Sequence, residues 1–287
     1  AISFARKFNK RVFIKVTTAG HIVKPVPDDW RGLLKRLSPF RQRKVKILQQ
    51  ADAMIAISNE IMAELLRNGF QRDRIAYIPN GVDTVKFHPI PLAEKSLLRE
   101  KLKLPNDKQI VLFTGKIIKR KGIDILLAAW GKARAVHEKA VLLLVGSGHG
   151  QPDSLEEWLD TYIADNHLEQ TVLRPGAVDN VHEYLAAADV FAFPSRREGL
   201  PNSLLEAMAS GLVCIASPIG GNTDLIVPGK TGILVLAKHS DGWAEAISET
   251  ITQSLSNYGI AACNLVKNSY SIDETVLRLE MLYNGVV

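Results

Sequence analysis

From Lys108 onward the chain alternates short apolar runs with stretches of helical periodicity. The runs fall at 110–114 (IVLFT), 141–145 (VLLLV), 171–173 (TVL), 190–193 (VFAF), 213–217 (VCIAS) and 233–236 (ILVL). Their brevity and their β-branched and aromatic content predict buried strands. Between the first two, Ile123, Leu126, Leu127 and Trp130 recur at the i, i+3, i+4, i+7 spacing of one helical face. Strand then helix, repeated, predicts a parallel sheet covered by helices on both sides. Right-handed crossovers gather the strand-to-helix loops at the carboxyl edge of such a sheet, so that edge is where a ligand is expected.

Upstream the alternation continues with a strand at 12–17, a basic helical stretch over 29–50, a strand at 54–57, a helix capped by Ser58 and a strand at 75–78. The turn-rich Pro79-Asn80-Gly81-Val82-Asp83 interrupts it and predicts a domain boundary between 80 and 105. A last helical segment, 272–284, carries Val276, Leu279, Leu282 and Tyr283 on one face, which needs something to pack on.

Composition changes this picture little. With 287 residues, 46% hydrophobic and 23% charged, the chain has room for two ordinary domains. Cys214 and Cys263 are too far apart in sequence for a metal-ligand spacing or a disulfide framework, so both are expected as reduced core residues in a cytosol. The apolar runs stop far short of the roughly 20 residues that span a bilayer. The first residues, AISFARKF, include neither an initiator Met nor a signal-peptide core, and they predict a cut rather than a start.

Charge is uneven: residues 1–50 hold 13 Lys and Arg against 2 Asp, while the rest of the chain is net acidic. Within residues 29–50, Trp30, Leu33 and Leu34 are interleaved with cations, a pattern expected to meet an anionic membrane surface. The reduced cysteines predict the cytoplasm, and the basic stretch, if it is not an ordinary solvated helix, predicts a peripheral position on the inner face of the membrane. Nucleic acid is not expected, because no aromatic stacking platform accompanies the charge.

The candidate chemistry lies in two loops. Glu198-Gly199-Leu200-Pro201-Asn202-Ser203-Leu204-Leu205-Glu206 follows the strand ending at Phe193, and Pro201 and Asn202 suit the start of a helix that Gly211 ends. A helix N-terminus at the ligand edge favours a phosphate. Glu198 and Glu206 flank it, about 12 Å apart if the segment were wholly helical. Carboxylates accept hydrogen bonds from adjacent ribose or hexose hydroxyls. Such a pair at a helix entry is otherwise ordinary surface, and context decides.

The second loop, Gly115-Lys116-Ile117-Ile118-Lys119-Arg120-Lys121-Gly122, brings cations to the edge after the strand at 110–114. The chain contains no Asp-x-Asp to hold a divalent metal, so a diphosphate leaving group would rely on Lys116 and Lys121. The glycine-rich 146–150 (GSGHG) is weak as a dinucleotide fingerprint, because it lacks the G-x-G-x-x-G spacing followed by a helix.

Taken together, GK…KG, LLLVGSG, RPGAVDNV, ADVFAFPS, the Glu-x7-Glu block and IGG…VPGKTGILV resemble the C-terminal domain of the family 4 retaining glycosyltransferases with the GT-B fold. ADAMIAIS, IPNGVDTVKFHP and the C-terminal SYS…LEMLY resemble the flanking segments. The resemblance implies an α/β chain of two Rossmann-like domains: residues 1–90, an incomplete acceptor-side domain; 91–270, the nucleotide-sugar domain; and 271–287, a helix packing back toward the first. It implies that Glu206 binds the ribose diol, that Glu198 contacts the donor sugar and lies at the reaction centre, and that Lys116 and Lys121 are catalytic with it. Gly199 and Leu200 would offer amides, Pro201 would contribute shape only, and Val178 would touch the base through its backbone. Lys116 stands where the family usually has Arg, which keeps charge but loses the bidentate fork; Lys121 matches the family Lys. His21 is the nearest candidate for an acceptor-side His.

The implied activity is metal-independent transfer of a hexose from a nucleoside diphosphate sugar to a glycan or lipid-linked acceptor, with retention and without a cofactor. A nucleotide-sugar 2-epimerase and a non-catalytic sugar-nucleotide-binding fragment are the alternatives.

Overall fold

A computed structural model of the chain describes residues 2–20, 39–134, 137–236 and 239–285. They form two compact units: Ala1–Asn80, Glu198–Leu200 and Thr275–Val287 make the first, and Gly81–Arg197 with Pro201–Glu274 the second.

The first unit runs α1 (Ile2–Lys7), β1 (Phe13–Val16), α2 (Pro39–Leu48), β2 (Ala53–Ala56), α3 (Asn59–Arg67) and β3 (Ile75–Tyr77). The strands form a parallel sheet in the order β1-β2-β3, with Phe13 opposite Ala53 and Met54 opposite Ile75. Every residue of the central β2 is buried, as expected for a parallel strand covered on both faces. Ser58 caps α3 as its sequence predicts, its Oγ accepting the Ile61 N–H at 3.4 Å.

The second unit continues with α4 (Leu92–Lys101), β4 (Gln109–Thr114), α5 (Ile123–Arg134), β5 (Ala140–Val145), α6 (Glu156–Asp165) and β6 (Val172–Gly176). It then adds α7 (Val181–Ala187), β7 (Val190–Phe193), α8 (Asn202–Ala209), β8 (Val213–Ala216), α9 (Asn222–Leu225), β9 (Ile233–Leu234), α10 (Ser240–Thr252) and α11 (Ser256–Ser269). All sheet pairings are parallel, in the order β6-β5-β4-β7-β8-β9. The chain thus builds outward on one side of β4, then crosses back to build on the other. The face read from Ile123, Leu126, Leu127 and Trp130 is fully buried, with Trp130 Nε1 donating to Thr171 Oγ1 at 3.2 Å. Cys214 and Cys263 are buried free thiols. Asp189 ties α4 to the sheet: Lys95 lies 2.6 Å from one carboxylate oxygen, while Arg99 and the Ile110 N–H lie 2.7 Å from the other.

The chain ends in α12 (Ile272–Asn284), whose residues from Thr275 onward belong to the first unit. Leu282 joins the core of Ala53, Ile55, Ala76 and Ile78, and Leu279 and Phe13 pack against it. The buried stripe is narrower than the sequence pattern suggests. Val276 stays 47% exposed and Tyr283 45% exposed, although the Tyr283 ring lies 5.1 Å from that of Phe13. Thr275 and Leu282, two turns apart, define the inward line, and Val276 lies about 100° round the helix from Thr275. Among the described residues no helix is long and apolar enough to cross a membrane.

Candidate functional site

In the second unit the strand order reverses between β4 and β7, and a crevice opens at such a switch point beyond the carboxyl ends of the strands. A cavity of about 380 Å³ lies at this edge. Thr114, Gly115 and Lys116 reach it from the end of β4, Gly146 and Ser147 from β5, Val178 from the loop after β6, and Ser203 and Glu206 from α8. Lys116, Val178 and Glu206, singled out separately in the sequence, therefore share one cavity.

Helix α8 begins after Pro201, as the sequence of that loop predicts, and has no side-chain cap. Its opening turn carries Ser203, and Glu206 follows one turn on, so helix dipole and carboxylate address the same space. Burial pushes the Glu206 carboxyl above the ordinary glutamate range, and the charge of Lys86 opposes that shift. Lys86 sits in the turn after Val82, whose Asp83 Oδ1 accepts the N–H groups of Val85 and Lys86, each at 2.9 Å. Lys116 is exposed and donates to Gln151 Oε1 at 3.0 Å.

Lys121 does not line this cavity; its ammonium lies 5.0 Å above the Phe193 ring. Glu198, Gly199 and Leu200 belong by their contacts to the first unit. There a Cβ on Gly199 would stand 2.0 Å from the Thr17 carbonyl oxygen, so only glycine fits. Asn80 Nδ2 donates to the Leu200 carbonyl at 3.0 Å and holds the same peptide. Since α8 starts only at Asn202, the helical measure of the Glu198–Glu206 separation does not apply. His21 lies outside the described residues, as does part of the basic segment 29–50. Among the described residues no group of three or more His, Cys, Asp or Glu could hold a metal ion.

The glycine-rich loop after β5, part of the LLLVGSG motif but assigned no site role from sequence, reaches the cavity. Gly146 and Ser147 line the cavity, and both also border a second one of about 410 Å³ with His149, Glu156 and Arg174. The signal available in sequence was position: glycine directly after a buried strand at the ligand edge.

A switch-point cavity beside a helix start without a side-chain cap, with a lysine in its lining, is an arrangement that favours an anionic ligand. Residues 108–253 match the family model of group 1 glycosyl transferases, and residues 5–86 match that of glycosyltransferase family 4. The chain belongs to the group 1 glycosyl transferases, is a family 4 glycosyltransferase and has the GT-B fold.

The D-inositol 3-phosphate glycosyltransferase of Stackebrandtia nassauensis is 28% identical over 226 residues, covering 76% of this chain and 50% of the relative. The crystal structure of Anabaena HepE in complex with UDP superposes with a TM-score of 0.83 at 21% identity, covering 99% of this chain and 74% of that one. Sucrose-phosphate synthase from Thermosynechococcus elongatus gives a TM-score of 0.81 at 26% identity, covering 99% and 70%. The chain spans about half the length of the curated relatives it matches first.

Proposed function

We propose that this chain carries the donor site of a glycosyltransferase that moves a hexose from a nucleoside diphosphate sugar to a glycan or lipid-linked acceptor, with retention at the anomeric carbon. The observation that carries the reading is the switch-point cavity, where Lys116 and Val178 arrive from two loops and Glu206 from α8. Family membership supports glycosyl transfer, and the UDP complex of Anabaena HepE supports a nucleoside diphosphate as the donor's leaving group.

In this reading Glu206 accepts hydrogen bonds from the ribose hydroxyls, which replace solvent lost to burial. The diphosphate meets the uncapped start of α8 and Lys116, with Lys121 as a further cation. Charge on the diphosphate grows as the glycosidic bond breaks, so these groups act most strongly in the transition state, and no metal is required. Glu198 meets the donor sugar, with Gly199 and Leu200 amides beside it. His21 is assigned to the acceptor side. Residues 29–50 face anionic lipid on the cytoplasmic side of a membrane, a reading supported by the exposed Phe40 and Ile47 among the basic residues of α2.

Calorimetric titration of the chain and of Glu206→Ala with UDP, GDP and ADP, without metal, tests the donor site. The expectation is that one nucleotide binds and that the variant binds it at least about tenfold more weakly. Equal binding by both proteins, or none by the parent, would sink the reading.

A further inference from the structure

The loop between β5 and α6 is held by a carboxylate that no step of glycosyl transfer uses. Glu156, in the first turn of α6, is 8% exposed. Its Oε1 accepts the Gly148 N–H at 2.6 Å and the Ser147 hydroxyl at 3.1 Å. Its Oε2 lies 2.8 Å from the guanidinium of Arg174 on β6, which also pairs with Asp160 one turn further along α6. Ser147 Oγ in turn accepts the His149 N–H at 3.1 Å. A buried ionised acceptor thus fixes the turn through charge-assisted hydrogen bonds, and Arg174 fixes the carboxylate.

The turn so held is a shared wall. Gly146, Ser147 and Ala177 border both the cavity that contains Glu206 and the 410 Å³ cavity lined by His149, Glu156 and Arg174. A base attached to a ribose at Glu206 that passed Val178 and reached beyond this wall would enter the adjoining cavity at Ala177. Its polar edges come from Ser147, His149 and Arg174.

We infer that Glu156 is a positioning residue for base discrimination: by holding the Ser147–Gly148 turn against Arg174, it sets the shape of the base compartment. The inference rests on the donor reading above. A shape that admits one base over another depends on the wall staying within a few tenths of an ångström, which a single neutral acceptor facing Arg174 would not secure.

The test titrates the chain, Glu156→Gln, Asp160→Asn and Glu206→Ala with UDP, GDP and ADP separately, each protein first checked for folding by circular dichroism. The expected result is that the parent prefers one base and that Glu156→Gln still binds, with its preference reduced about tenfold, the worth of one charge-assisted hydrogen bond. Asp160→Asn removes the exposed ion pair of Arg174 and keeps the preference, whereas Glu206→Ala weakens all three nucleotides together. If Glu156→Gln does not fold, Glu156→Asp takes its place, since it keeps the charge toward Arg174 and shortens the reach to Gly148.

An unchanged preference, or an equal weakening for all three bases, overturns the inference, as does a parent without any preference. If Glu206→Ala binds like the parent, the donor reading fails and takes the inference with it; if Glu206→Ala weakens binding but Glu156→Gln keeps the parent's preference, the inference alone fails. A parent that binds no nucleotide removes both.

Discussion

Gly146→Ala is the substitution whose cost follows most directly from the geometry. Gly146 follows β5 at φ +138°, and a Cβ there would lie 1.9 Å from the Gly115 carbonyl oxygen and 2.8 Å from its carbon, both backbone atoms. Ordinary contact begins near 3.4 Å, so β4 and β5 would have to part by more than an ångström at the cavity edge. That edge is laced by Gly115 N–H to the Val145 carbonyl at 3.0 Å and Gly146 N–H to the Gly176 carbonyl at 2.8 Å. Backbone strain costs about 1–3 kcal/mol and overpacking about 1–3 kcal/mol more, roughly 2–6 kcal/mol together.

For a unit of this size that lowers the melting temperature by on the order of 10 °C. Two other glycines calibrate the measurement. Gly150, at φ +73° with nothing within 4 Å of its Cβ, bears only the conformational term, about 1 kcal/mol. Gly131, inside α5 and in open space, gains about 0.5–1 kcal/mol on replacement by Ala. Thermal unfolding followed by the fluorescence of Trp130 and Trp243, both fully buried in the second unit, reports the right transition. The order expected is Gly131→Ala above the parent, Gly150→Ala slightly below and Gly146→Ala far below, with nucleotide binding lost in the last. If Gly146→Ala melts with Gly150→Ala, the close approach does not constrain the edge and the reasoning fails.

Two further predictions concern charge. Because burial raises the Glu206 carboxyl pKa, the folded state favours the protonated form; stability is greatest below the ordinary glutamate range and declines as pH rises through the raised value. Glu206→Gln, lacking the ionised form, should therefore unfold at a higher temperature than the parent at pH 7, with the gap closing on acidification; a gap that widens toward acid would contradict this. The basic segment 29–50 should carry the chain down with anionic but not neutral vesicles on sedimentation, and the effect should fade as salt is raised. Equal partition onto both vesicle types would remove the membrane reading.

Much of the fold was legible without coordinates, because strands and helices announce themselves by local period. The runs at 110–114 and 141–145 became β4 and β5, the face of Ile123 to Trp130 became the buried side of α5, and Ser58 became a cap. The start of α8 at Asn202 was likewise written in Pro201 and the residues after it. These are interactions within a turn or two of chain, so neighbouring residues suffice to encode them.

Tertiary structure decided what depends on which loops meet. Sheet order brought Lys116, Val178 and Glu206 to one cavity and left Lys121 over Phe193. Packing chose Thr275 and Leu282 rather than Val276 as the inward line of α12. It seated Gly199 against the Thr17 carbonyl, 182 positions earlier in the chain, and aimed the Glu156 carboxylate at the turn of Ser147 and Gly148. A hydrogen bond or a close approach of this kind depends on distance in space, and a linear pattern carries no record of that until the sheet has been assembled.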